Sequence, residues 1–171
     1  MGFFFAVSHV ILSPVRLQLL LCASCLSVGV NTFTKLWLQH PRPFFIIDSY
    51  MVDKCEFEYG NPSGHAQNAT TFYLAFITLA MQEYKIKDHK MKIYSLLTLY
   101  LVAVGATRVF GGVHTLDQVL AGCCLGAIMY ILIVHIFSQT IEKWFEQMQT
   151  GKIGFLNILL VSYLLMNLVV L

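Results

Sequence analysis

The sequence predicts an all-α fold, a polytopic transmembrane helical bundle of about five to six spans. Three observations predict it. Hydrophobic residues make up 57% of the 171 and charged residues only 12%, about half the charged share of an ordinary soluble domain. The mean hydropathy is +0.69. Apolar runs of spanning length recur, separated by short polar turns that hold the prolines and many of the glycines.

A span needs roughly 17–25 mostly apolar residues. Leu17–Phe33 is the first predicted span, interrupted only by Ser/Thr, Gln18 and Asn31. Ala66–Gln82 is the second, with Gln67, Asn68, Thr70 and Thr71 in its early turns. Ile93–Thr107 is the third and slightly short, and Val119–Phe137 is the fourth and cleanest. Phe155–Leu171 is a fifth. Gly2–Leu12 is apolar but too short to cross alone, so an interfacial or partly inserted helix is expected there. Glu142–Gln149, with Trp144 and Phe145, reads as a short amphipathic piece on the cytoplasmic surface. Residues 1–171 form a single domain, with no internal repeat or linker.

The same numbers exclude other classes. So apolar a chain is not intrinsically disordered. A net charge of +2, with no basic stripe, excludes a general nucleic-acid binder. No Lys or Arg precedes the first apolar run, so no cleaved signal peptide is expected. Ala6 stands where a myristoylation motif needs Ser or Thr. Cys22, Cys25, Cys123 and Cys124 fall within spans and read as small packing residues, and Cys55 is alone in a loop.

If the four good spans alternate, one side carries Arg16, Lys85, Lys87, Lys90, Lys92, Lys143 and Lys152. The other carries Lys35, Arg42, Lys54 and Arg108, with Asp48, Asp53, Glu56 and Glu58. The richer side is expected to be cytoplasmic.

The poorer side concentrates the unusual residues in three clusters. Lys35 and Arg42 lie about two helical turns apart, and Pro41 and Pro43 end the helix before Arg42. Pro62-Ser63-Gly64-His65 precedes the second span. Ser63 can cap that helix, Gly64 permits close backbone approach, and free amides at a helix start bind anions. In the third cluster Arg108 ends a span, Gly111 and Gly112 turn the chain, and His114 precedes Asp117 and Gln118. Thr115-x-x-Gln118 reads as a capping box that starts a helix at Leu116. Each cluster alone is compatible with interfacial anchoring or an ordinary turn. Together they supply three cations, backbone amides, two histidines and a carboxylate, the set a tetrahedral phosphate dianion needs. One His can attack phosphorus and the other can protonate the leaving oxygen.

These clusters resemble the signature of the type 2 phosphatidic acid phosphatase (PAP2) superfamily, in its membrane lipid phosphate phosphatase branch. The order is Lys-x6-Arg-Pro, Pro-Ser-Gly-His, then Ser-Arg-x5-His-x3-Asp. Here it reads Lys35…Arg42-Pro43, Pro62-Ser63-Gly64-His65 and Thr107-Arg108…His114, across residues 35–118. The resemblance implies a helical core like that of the haloperoxidases and metal-independent hydrolysis of a lipid phosphate monoester or pyrophosphate. It implies His114 as the nucleophile that becomes phosphohistidine, and His65 as the general acid. It assigns Lys35, Arg42, Ser63, Gly64 and Arg108 to the phosphoryl oxygens, with no cofactor and no metal. It places the site on the extracytoplasmic or luminal face, as the charge asymmetry does. The partners implied are the lipid phosphate substrate and membrane lipids.

Two departures stand out. Thr107 replaces the usual Ser, keeping a hydroxyl. Gln118 occupies the position of the family's Asp, with Asp117 one residue early. Asp117 is expected to take that role, since i+3 and i+4 are both within reach on a helix. The family also has two spans before its first motif, whereas here Leu17–Phe33 and a short apolar piece precede Lys35. Rival readings are a glucose-6-phosphatase-like sugar-phosphate hydrolase and an inactive relative that binds lipid phosphates. His40 is expected to shape the first motif without entering the chemistry.

Overall fold

A computed structural model of the chain describes residues 2–46 and 57–151. The predicted span Phe155–Leu171, and Lys54, Cys55 and Lys152, lie outside the described residues. The elements in order are α1 (Gly2–Ile11), α2 (Pro14–Leu38), α3 (Pro43–Ile46), α4 (Gly64–Glu83), α5 (Lys90–Phe110), α6 (Leu116–Tyr130) and α7 (Ser138–Gln149). A π-helical turn, Ile131–Ile136, joins α6 to α7. No strand occurs among the described residues.

Proline fixes the first turn of α2, where its missing N–H is not needed. The helix then runs 25 residues, about 37 Å at the standard rise. Among the described residues, three helical runs are long and apolar enough to cross a membrane: Pro14–Ile46, Lys90–Phe110 and Leu116–Ile136. The second predicted span, α4, has the length but is too polar to qualify by composition. Its position explains this. It packs against α2, α5 and α6, so its polar side chains meet protein rather than hydrocarbon. Gln67 accepts from Asn31 Nδ2 (2.9 Å) and donates to Ser27 O (2.9 Å). Thr71 Oγ1 lies 3.1 Å from Gly126 O. Buried polar groups are tolerated where they are paired in this way.

Gly122 and Gly126 set the α4–α6 crossing. A Cβ on Gly122 would stand 2.6 Å from Ser63 O, and one on Gly126 2.5 Å from Gln67 O. Two small residues one turn apart let the backbones touch. Below this crossing, Leu19, Leu20, Ala23, Phe72, Ala75, Leu79 and Ile133 form the apolar core.

The two ends of the bundle are tied differently. At one end Arg16 Nη1 pairs with Glu83 (2.9 Å), and Ser13 Oγ donates to the same carboxylate. Nearer this end, Thr78 Oγ1 lies 2.9 Å from both Tyr94 Oη and Tyr130 Oη. The wider π turn brings His135 Nε2 within 2.8 Å of Tyr130 Oη, five residues back. α7 packs on α2 and the π turn, and its Ile141 joins the core. The opposite end gathers the three motifs.

Candidate active site

Each motif reaches this end by a local device. α2 stops at Leu38 because Gln39 turns left-handed (φ 49°) and returns its N–H to Lys35 O. Pro41 and Pro43 hold the next three residues off helix, and Arg42 turns inward until 1% of it is exposed. Gly60 N–H donates to His40 O (2.8 Å), and Asn61 Nδ2 donates to His40 Nδ1 (3.1 Å). His40 thus anchors the 57–63 segment to the first motif. α5 ends two residues after Arg108, Gly112 adopts φ 67°, and His114 follows before α6 begins at Leu116.

The decisive contact joins the first and third motifs. Arg42 Nη1 lies 3.3 Å from His114 Nε2, between residues 72 apart in sequence. The same guanidinium donates to Glu58 O (Nε, 2.7 Å) and Val113 O (Nη1, 3.3 Å). Lys35, 8% exposed, pairs with the Glu58 carboxylate at 2.5 Å. The second motif closes on the third through Ser63 N–H, which donates to Gln118 O (2.9 Å).

The hydrogen bonds fix the His114 tautomer. Gln118 Nε2 donates to the Pro41 carbonyl (3.0 Å). That orientation turns Gln118 Oε1 toward His114 Nδ1 (3.1 Å) and the Thr115 N–H (3.3 Å). An amide oxygen only accepts, so Nδ1 carries the proton. Nε2, facing a guanidinium that only donates, holds the lone pair. The ring is 2% exposed. Burial, then the Arg42 charge, and less strongly Arg108, hold its pKa well below the ordinary histidine value, at about 4. The bonds to Gln118 and the Gly60 backbone oppose that shift without overcoming it. The neutral imidazole is therefore the resting form at pH 7.

Asp117, expected to support His114, lies on the first turn of α6 without a hydrogen bond to the ring among the described contacts. Its side chain is exposed, and Gln118 faces His114. The reason is register: His114 precedes the helix, so the residue four positions on, in the first turn of α6, folds back over it while the third points outward. Ser63 occupies the N-cap position of α4, but its hydroxyl makes no capping bond. That Oγ is buried with no hydrogen-bond partner among the described residues. The space beside Gly64 is filled by Asn31, whose Oδ1 would meet an added Cβ at 3.0 Å. His65 is exposed on the first turn of α4.

Sequence reasoning missed Glu58 as a partner of Lys35, since nothing distinguished it from three other loop acids. It also missed Gly60, where a Cβ would stand 2.7 Å from the Gln118 amide.

The PAP2 superfamily profile matches residues 16–142. The chain belongs to the PAP2 superfamily. This PAP2 chain is 32% identical over 117 residues to phosphatidylglycerophosphatase B of Bacillus subtilis, covering 67% of the chain and 54% of that protein. It is 31% identical over 96 residues to a dihydrosphingosine 1-phosphate phosphatase of Schizosaccharomyces pombe, covering 55% of the chain and 23% of that protein. The chain therefore spans about half the length, or less, of these relatives. Its fold matches the crystal structure of a transmembrane PAP2-type phosphatidylglycerolphosphate phosphatase from Bacillus subtilis. The TM-score is 0.69 at 23% identity, over 81% of this chain and 70% of that one. The bundle is thus an integral membrane PAP2 fold.

Proposed function

We propose that this PAP2 chain hydrolyses a lipid phosphate monoester or pyrophosphate through a phosphohistidine on His114, at the extracytoplasmic or luminal face. The observation that carries this reading is the contact between Arg42 Nη1 and His114 Nε2. It sets a neutral nucleophilic nitrogen beside a fork-shaped phosphate ligand. The buried, unpartnered Ser63 hydroxyl at the start of the 20-residue α4 is a second support, because a helix N-terminus favours an anion there.

In the first step His114 Nε2 forms a bond to phosphorus as the bond to the leaving oxygen breaks. His65 gives that oxygen its proton. In the second step a water attacks the phosphohistidine, His65 takes the water's proton, and phosphate leaves with the N–P bond broken. Lys35, Arg42 and Arg108, with Ser63 and the Gly64 amide, hold the equatorial oxygens as charge builds on them. Gln118 holds Nδ1–H, so Nε2 stays aimed at phosphorus. The substrate phosphate sits at the end of the bundle, where a lipid reaches it sideways from the bilayer. The likeness to a phosphatidylglycerophosphatase and to a dihydrosphingosine 1-phosphate phosphatase supports a lipid phosphate as substrate.

Phosphate release by purified protein in detergent tests this. The panel holds phosphatidic acid, phosphatidylglycerophosphate, a polyprenyl pyrophosphate, a sphingoid phosphate and glucose 6-phosphate, with EDTA present. Turnover of a lipid that survives chelation, is blocked by vanadate and is lost in His114→Ala is expected. Preference for glucose 6-phosphate, or phosphate binding with no turnover, would overturn the reading.

A further inference from the structure

We propose that Glu58 is an internal counter-ion of the phosphate site, the anion that Lys35 gives up when a phosphoryl group enters and takes back when phosphate leaves. The proposal rests on the reading of Lys35 as a phosphate ligand. Three observations and one general principle carry it. Lys35 is buried and Glu58 is the acidic partner on its ammonium. A buried ammonium without an anion is strongly unfavourable, so something negative must stand there in the empty site. The Glu58 side chain is 72% exposed, against 10% for Lys35. Its carboxylate can therefore swing into water, whereas Lys35 cannot follow it. The Glu58 backbone stays in place meanwhile, because its carbonyl accepts from Arg42 Nε and Gly60 two residues on is bonded to His40.

The two residues of the pair thus differ in what they lose on separation. Glu58 regains hydration as it leaves. Lys35 exchanges one carboxylate for a phosphoryl group of greater total charge. Substrate binding is weakened by the competition, and so is binding of the product. Inorganic phosphate is the last product of the proposed reaction and carries the same charge into the same site. A carboxylate ready to return to Lys35 favours its departure.

The test is a set of binding and rate measurements on the whole 171-residue chain in detergent, with inorganic phosphate as the probe. Wild type, Glu58→Gln, Lys35→Met and the double variant are titrated calorimetrically, and KM and kcat are measured on the best lipid phosphate. Glu58→Gln is expected to bind phosphate about 3–10-fold tighter, matching roughly 1 kcal/mol for an ion pair with one exposed partner. KM should fall by a similar factor and kcat by less. In the Lys35→Met background the Glu58 change should have no effect. If Glu58→Gln binds phosphate equally or more weakly while wild type binds and turns over, Glu58 only orders Lys35 and the proposal fails alone. If neither wild type nor any variant binds phosphate or turns over, the functional reading fails, and this inference falls with it.

Discussion

Gln118→Glu isolates what a neutral partner does to His114. In the native site an amide oxygen lies 3.1 Å from Nδ1 and carries no net charge to oppose Arg42 and Arg108. A carboxylate in its place puts a unit charge about 4 Å from the ring. At an effective dielectric near 20 that is worth about 4 kcal/mol, or about 3 pKa units. The native depression, from 6.5 to about 4, is of similar size and opposite sign. His114 in the variant is expected to titrate near pH 6.5–7. The Glu cannot donate to Pro41 O, so that hydrogen bond is lost, at about 0.5–1.5 kcal/mol, and the unfolding temperature should fall slightly as well. The assay is an NMR pH titration of the His114 Cε1–H in detergent, assigned by loss of the signal in His114→Asn. Native His114 should keep its neutral-form shift down to about pH 5, and the variant should show a midpoint two to three units higher. Coincident titrations, or a native midpoint near 6.5, would refute the reasoning.

Three further predictions follow from the same contacts. Arg42→Lys keeps the charge but loses the fork that reaches Glu58 O, Val113 O and His114. Hydrogen bonds from charged groups are worth about 1.5–3 kcal/mol, so kcat/KM should drop about 10–100-fold. Gly126→Ala drives a methyl into Gln67 O at 2.5 Å and should lower stability by about 1–3 kcal/mol, read as a lower unfolding temperature with the α4–α6 crossing as its cause. The depressed His114 pKa makes stability complete above about pH 6.5 and erodes it as pH falls toward 4, because the unfolded chain takes up the proton first. The loss amounts to about 3 kcal/mol at most, and His114→Gln should flatten that part of the pH–stability curve.

Much of this architecture was legible because hydrophobic patterning and turn chemistry both point to it. Pro14, Pro41 and Pro43 bracket α2, and Thr115 with Gln118 set the start of α6 at Leu116. The site's ingredients were legible too, as permanent charges and histidines at membrane depth have few other uses. What was not legible depends on distance rather than order. Asp117 and Gln118 are neighbours in sequence, and only the approach of Pro41 O to Gln118 decides which faces His114. Glu58 gains its place from Arg42, 16 residues back, which donates to its carbonyl, and from the bond between Gly60 and His40 two residues on. The central α4 was read as a span from its apolar residues, although its polar ones are buried by the helices around it.

The central claim is that His114 Nε2 attacks phosphorus. Rapid quenching of the enzyme with a lipid monoester radiolabelled in its phosphate tests it most directly. Label should appear on the protein in an acid-labile, alkali-stable form, map to the peptide holding His114, and be absent from His114→Ala. Turnover by wild type with no protein-bound label at any quench time, or label that persists in His114→Ala, would contradict the account.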